Sequence, residues 1–268
     1  MSETSSNPRA DLVSPPVQII EKIHPAFYRT SRLRERESFS NLLKDRPFIQ
    51  VLDRLPQQLR ELIKITHPDQ KFTEEALQKA VTEQLDGCAA EDYGVWVYYP
   101  WNEKVVHLLD EKEFLALRTN RNLYKITREE RDSLSTKKIG VIGLSVGQSV
   151  AMTLAMERSF GELRMADFDT LDLSNMNRIR TGVHNLGIRK TVIVAREIAE
   201  IDPFLKVTCF HEGIKENNID EFIHKNGRLD LLIDECDSLD IKIMCRRKAR
   251  SYGIPVLMDT SDRGMIDI

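Results

Sequence analysis

The sequence predicts an α/β fold: a doubly wound, mostly parallel sheet preceded by a smaller, helix-rich α+β module. Two patterns predict it. From Thr136 onward, the runs Lys138–Ile142, Glu162–Ala166, Lys206–Phe210, Leu229–Ile233 and Ile254–Met258 read as strands, and the stretches 150–160, 190–201, 219–225 and 241–252 between them read as helices. Parallel strands joined through helices cross over right-handedly and leave an open sheet, with ligands at the carboxyl ends of the strands. Upstream the pattern differs. Residues 18–85 carry helical spacing, with Leu55, Leu59, Leu62 and Ile63 on one apolar face. Val95–Tyr99 and Val105–Leu109 then flank a Pro-Trp-Asn-Glu turn and read as a β-hairpin, followed by a helix from about Lys112. The expected organisation is a disordered Ser/Pro/Asn-rich tail at 1–17, a module at 18–115 and the doubly wound domain at 116–268.

Composition narrows the function classes. With 268 residues, 41% hydrophobic and 30% charged, the chain reads as globular. Lys plus Arg number 39 against 42 Asp plus Glu, a net charge of -3, so there is no overall field for nucleic acid or an anionic membrane, and neither is an expected partner. Four cysteines without a C-x-x-C pair give neither a disulfide framework nor a zinc ribbon, which points to a reducing, cytoplasmic setting. Residues 139–156 run uncharged for the length of a membrane helix, but the central GLSVGQS fits a strand, turn and helix better. The basic run 246–250 reads as a solvated helix face near its C-terminal end.

The first strand ends in Gly143-Leu-Ser145-Val-Gly147, which opens a helix. Such a turn brings backbone N–H groups and a helix dipole against a phosphate. The string also matches the G-x-S-x-G nucleophile elbow of hydrolases, with Ser145 attacking, and a merely tight turn is a third reading. The second strand ends at Asp167, 20 residues past Gly147, the spacing at which a carboxylate reaches ribose hydroxyls; a helix cap is the plainer reading. The residues that follow, to Arg178, crowd acidic, amide and guanidinium groups together, which favours nucleotide binding over hydrolysis.

Taken together, Asp167-Phe-Asp169-x(4)-Ser174-Asn175-Met-Asn177-Arg178, Gly187-x-x-Lys190, Ile201-Asp202-Pro203 and Asp234-Glu-Cys236-Asp237-Ser238 resemble the ThiF/MoeB/ubiquitin-activating-enzyme superfamily of ATP-dependent adenylyltransferases. The resemblance covers residues 121–268 and implies a Rossmann-like domain. Arg121-Asn122 with Ile126-Thr127 and Glu129 is similar to the segment preceding the glycine turn in bacterial members. The runs GLSVGQS and SNMNRIRTG also resemble a subgroup fused to a nitroreductase-like domain, which is not found here. Residue by residue, the resemblance implies that Gly143 and Gly147 line the phosphate turn, with Ser145 donating there, and that Asp167 holds the ribose, with Asp169 also at the nucleotide. It further implies that Asn175 and Arg178 face the triphosphate, Lys190 reaches the phosphates, Asp237 binds Mg²⁺, and Arg121 acts across a homodimer. Singly, Arg178 and Lys190 would read as surface cations and Asp237 as a helix cap.

The resemblance therefore implies an enzyme that uses ATP and Mg²⁺ to activate a carboxylate, that of a peptide, a ubiquitin-like protein or another acid. Attack on the α-phosphorus needs no general base, since a carboxylate is ionised near pH 7; the barrier is charge, which fixed cations remove. Two alternatives accompany this expectation: a relative activating a carboxylate on a modified tRNA nucleoside, and a non-catalytic nucleotide-binding or dimerisation module. Two departures from the family pattern stand out. The glycine turn is one residue shorter, with Ser145 for a middle glycine, and relatives continue past Ile268, so the domain is expected to be incomplete at its C-terminal side. Cys236 reads as a small strand-end residue rather than a nucleophile, and His184 and His211 have no assigned role.

Overall fold

The computed structural model describes residues 21–259 and 266–267; the expected tail at 1–17 lies outside the described residues. Two sheets organise the chain. The first is built from β1 (Ala26–Tyr28), β2 (Gln50–Asp53), β3 (Val95–Tyr99) and β4 (Lys104–Leu108), in the order β1-β3-β4-β2. Helices α1 (Leu33–Asp45), α2 (Leu55–Thr66) and α3 (Glu74–Leu85) complete the module. The hairpin β3–β4 stands where the sequence places it. Strands β1 and β2 interrupt the helical spacing read over 18–85: at three and four residues they are too short for a period to register, and they are recruited by pairing with the distant hairpin. The predicted face of α2 is buried at Leu55, Leu59, Leu62 and Ile63.

Helix α4 (Glu111–Arg118) is capped by the Asp110 side chain and runs across the expected boundary at 115/116. Phe27 and Phe114 pack on Phe204 of the second domain at centroid distances of 5.5 and 5.3 Å. Helix α5 (Arg128–Leu134) then opens on a capping box formed by Thr127 and Glu130.

The second sheet contains β5 (Lys138–Ile142), β6 (Glu162–Ala166), β7 (Lys206–Phe210), β8 (Leu231–Asp234), β9 (Val256–Asp259) and β10 (Ile266–Asp267), in the order β10-β9-β8-β5-β6-β7. All neighbours are parallel except β9 and β10. Between the strands lie α6 (Gly147–Glu157), α7 (Lys190–Ile201), α8 (Ile219–His224) and α9 (Leu239–Ser251). Strands β8 and β9 each begin two residues later than the apolar runs suggest. Leu229 is spent on core packing ahead of β8, and Pro255 has no N–H to give the ladder ahead of β9. From β5 onward the first five strands lie 3-2-1-4-5, so chain order reverses between β5 and β8, the switch point at which a Rossmann-like sheet opens a crevice. No helix among the described residues is long and apolar enough to cross a membrane.

Candidate functional site

At the switch point, the tips of β5, β6 and β8 and the turn after β7 enclose a hollow of ≈ 260 Å³. The turn leaving β5 must pass hard against the end of β8. Gly143 does this with φ +84°, and a Cβ there would lie 2.7 Å from the Glu235 carbonyl carbon and 2.8 Å from the Cys236 nitrogen. Both contacts are backbone, so they cannot be relieved by a rotamer. Gly143→Ala is expected to cost about 2–4 kcal/mol, combining left-handed strain with the clash, and to lower Tm by roughly 5 °C or more. An unchanged thermal melt would contradict the close approach.

Asp167, at the tip of β6, ties two loops together. Its Oδ2 accepts from the Leu144 N–H at 2.6 Å and its Oδ1 from the Asp169 N–H at 2.8 Å. Burial holds its carboxyl above the usual carboxylate range, opposed by those two N–H groups and by Lys190.

The segment from Thr170 to Arg189 is long for a connection that holds only two short 3₁₀ turns, Leu173–Asn177 and Val183–Asn185, a length that favours a functional loop. A bridge between Thr170 and Arg189 closes it, and Leu171, Ile179 and Ile193 form a small core beneath it. The loop delivers Arg178, whose Nη1 donates to Asn177 Oδ1 at 3.0 Å and whose Nη2 donates to Ser145 Oγ at 3.3 Å. It ends at Lys190, the first residue of α7. There a 3%-exposed ammonium donates to Asp169 Oδ2 at 2.7 Å and to Ser145 Oγ at 3.2 Å. Two cations thus converge on one hydroxyl at the phosphate turn. For Ser145 as a nucleophile the arrangement is unsuitable: Lys190 is ion-paired with Asp169 and acts as a donor, and no histidine hydrogen-bonds Ser145 among the described residues.

Asp237 lies exposed on the wall of the hollow, between β8 and the Ser238 side chain that caps α9. Beside it, the Cys236 thiol is pushed up to about 12 by burial and by Asp234, so it stays protonated at neutral pH.

The structure therefore gathers Gly143, Ser145, Asp167, Asp169, Arg178, Lys190 and Asp237 at one end of the sheet. Three further candidates do not line the hollow. Gly147 sits behind the turn, where a Cβ would meet Val141 Cγ1 at 2.9 Å. Asn175 uses its Oδ1 to accept from the Asp172 N–H at 3.1 Å and caps its own 3₁₀ turn. Arg121 lies in the 3₁₀ turn Asn120–Tyr124, whose neighbours Arg118 and Asn122 donate to the Ala155 and Glu157 carbonyls. That is the far end of α6, roughly 15 Å along the helix from the glycine turn. Sequence reasoning missed Phe168, 73% exposed on the hollow's wall. An aromatic between two strand-end aspartates was its only trace. Gln148 was missed too.

Residues 117–261 match the ThiF family. An uncharacterized protein of Mycobacterium tuberculosis is 42% identical over 227 residues, which make up 84% of this chain and 29% of that protein. The tRNA threonylcarbamoyladenosine dehydratase of Bacillus subtilis is 26% identical over 140 residues, 52% of this chain and 54% of the relative. Among solved structures, the E. coli tRNA N6-threonylcarbamoyladenosine dehydratase in complex with AMP superposes with a TM-score of 0.51 at 25% identity, covering 57% of this chain and 61% of that one. The chain thus spans less than two thirds of each of these relatives.

Proposed function

The chain belongs to the ThiF family, and on that premise we propose that it binds ATP in the strand-tip hollow and activates a carboxylate as its acyl-adenylate. A carboxylate oxygen bonds to the α-phosphorus, the bond to the bridging oxygen breaks, and pyrophosphate leaves. The observation that carries the reading is the convergence of Lys190 and Arg178 on Ser145 Oγ. Two positive donors aimed at one point suit phosphoryl oxygens, which would take the place of the serine as their acceptor. Asp167 stands at the ribose position, and Lys190 and Arg178 stabilise the charge that develops on the leaving pyrophosphate.

Asp237 would hold Mg²⁺. A single exposed carboxylate fits an ion that takes most of its ligands from phosphates and water, and no cluster of three acidic, histidine or cysteine side chains among the described residues forms a protein-only metal cage. Bound there, the ion supplies neutralising charge to the phosphates. The test is calorimetric. Wild-type protein should bind ATP at least tenfold more tightly with Mg²⁺ than with EDTA, and Asp237→Asn should erase most of that difference. Equal ATP affinity with and without the metal would contradict the assignment.

Arg121 is proposed to act in the partner's site of a homodimer, because it does not reach its own hollow. Mixing Arg121→Ala with Lys190→Ala subunits should restore tight ATP binding to a fraction of the sites; failure to complement would remove the role. The acceptor acid is proposed to be a peptide or protein C-terminus, as the family resemblance suggests. A second reading, a carboxylate on a modified tRNA nucleoside, is favoured by the similarity to the two dehydratases; tRNA binding by the chain would support it. Four cysteines that are free in the structure fit a cytoplasmic setting.

A further inference from the structure

We propose that Gln148 is a positioning residue for Arg178: its buried amide clamps the arginine loop to the phosphate turn. The inference rests on the ATP reading above and adds a residue to it. Gln148 is the second residue of α6, directly after the glycine turn, and is 1% exposed. Its Oε1 accepts from the Arg180 N–H at 2.8 Å, and its Nε2 donates to the Arg180 carbonyl at 3.1 Å. The side chain therefore pairs with Arg180 as a neighbouring strand would. The remaining Nε2 hydrogen goes to Glu197 Oε2 of α7 at 2.9 Å. A backbone N–H can only donate and a carbonyl can only accept, so the orientation of the amide is set by chemistry.

The clamp matters because of what lies two residues away. Ile179 is buried at 3% in the small core under the loop, and Gln148 fixes the backbone of the next residue. Between them they define the path of the chain on one side of Arg178. The guanidinium itself is exposed, and among the described residues its hydrogen bonds go to two side chains, Asn177 and Ser145. A long, exposed arginine carries large rotamer entropy, so a fixed root lowers the cost of presenting it to a phosphate. Because Gln148 begins the helix that follows the turn and Arg178 arrives from the loop after β6, one amide couples two segments that approach the triphosphate from different sides.

The test compares ATP with adenosine, which lacks the phosphates, by calorimetry on the full chain. Gln148→Met keeps the volume and removes the bonds. It should weaken ATP binding roughly tenfold while leaving adenosine unchanged, and Gln148→Met with Arg178→Ala should be no weaker than Arg178→Ala alone. Gln148→Asn, which keeps an amide but withdraws it by one methylene from the Arg180 N–H and carbonyl, should give the same signature if Gln148→Met fails to fold. Three results would overturn the clamp: ATP affinity within twofold of wild type while Arg178→Ala weakens it, equal losses for ATP and adenosine, or full additivity with Arg178→Ala. If Arg178→Ala and Lys190→Ala both leave ATP affinity unchanged, the phosphate reading falls first and the clamp with it.

Discussion

Lys190→Ala is expected to weaken Mg²⁺-ATP binding by roughly 10² or more, with thermal stability nearly retained. The ammonium is almost fully buried, yet its partner Asp169 is half-exposed, so removing the lysine leaves a carboxylate that water can solvate. Stability is therefore spared. Binding is not, because a charge-assisted hydrogen bond to phosphate is worth about 1.5–3 kcal/mol, and the unpaired Asp169 would add repulsion at the same place. Two orders of magnitude correspond to about 2.7 kcal/mol. Adenosine affinity should change little. Loss of less than threefold for ATP, measured by calorimetry, would show that Lys190 serves the fold rather than the ligand.

Arg164→Leu is expected to act on stability instead, and more severely than any substitution at the site. Arg164 is fully buried in β6. Its Nε donates to Glu162 at 2.9 Å, Nη1 donates to the Phe222 and Ile223 carbonyls at 2.7 and 2.9 Å, and Nη2 donates to those of Lys225 and Gly227. One side chain thus satisfies the C-terminal carbonyls of α8, where a cation is also favoured by the helix dipole. Leucine fills much of the volume but leaves those carbonyls bare and Glu162 without its buried partner, though Lys206 remains within 3.4 Å of it. The cost is about 4 kcal/mol or more, a fall in Tm of roughly 10 °C. A melt within 3 °C of wild type would mean that water or a shifted α8 satisfies these groups.

How much of this was legible in the sequence follows from the physics of each element. Strands β5, β6 and β7 and helix α7 stand on the residues the sequence marks for them, because each strand is a short run carrying apolar residues (Leu163, Met165 and Ala166 in β6, Val207, Cys209 and Phe210 in β7) between helical windows, and a buried helix keeps its period. Strands β1 and β2 were hidden, since three or four residues carry no period and their pairing partners lie some fifty to seventy residues downstream. At the site, the charged residues were legible as types at strand ends: Asp167, Asp169, Arg178, Lys190 and Asp237 sit at the sheet's carboxyl end. Arg121 could not be placed that way, because its position depends on how the preceding turn packs under α6. Gln148 was illegible for another reason. A glutamine bonded to backbone 32 residues away leaves no local pattern, and only the folded loop shows what the amide holds.

The most direct measurement is a crystal structure of the chain soaked with Mg²⁺ and a non-hydrolysable ATP analogue. The account predicts the β- and γ-phosphates within hydrogen-bond distance of Lys190 Nζ and the Arg178 guanidinium, the ribose against Asp167 and the metal on Asp237. Nucleotide bound elsewhere on the chain, or phosphates pointing away from Lys190 and Arg178, would contradict it.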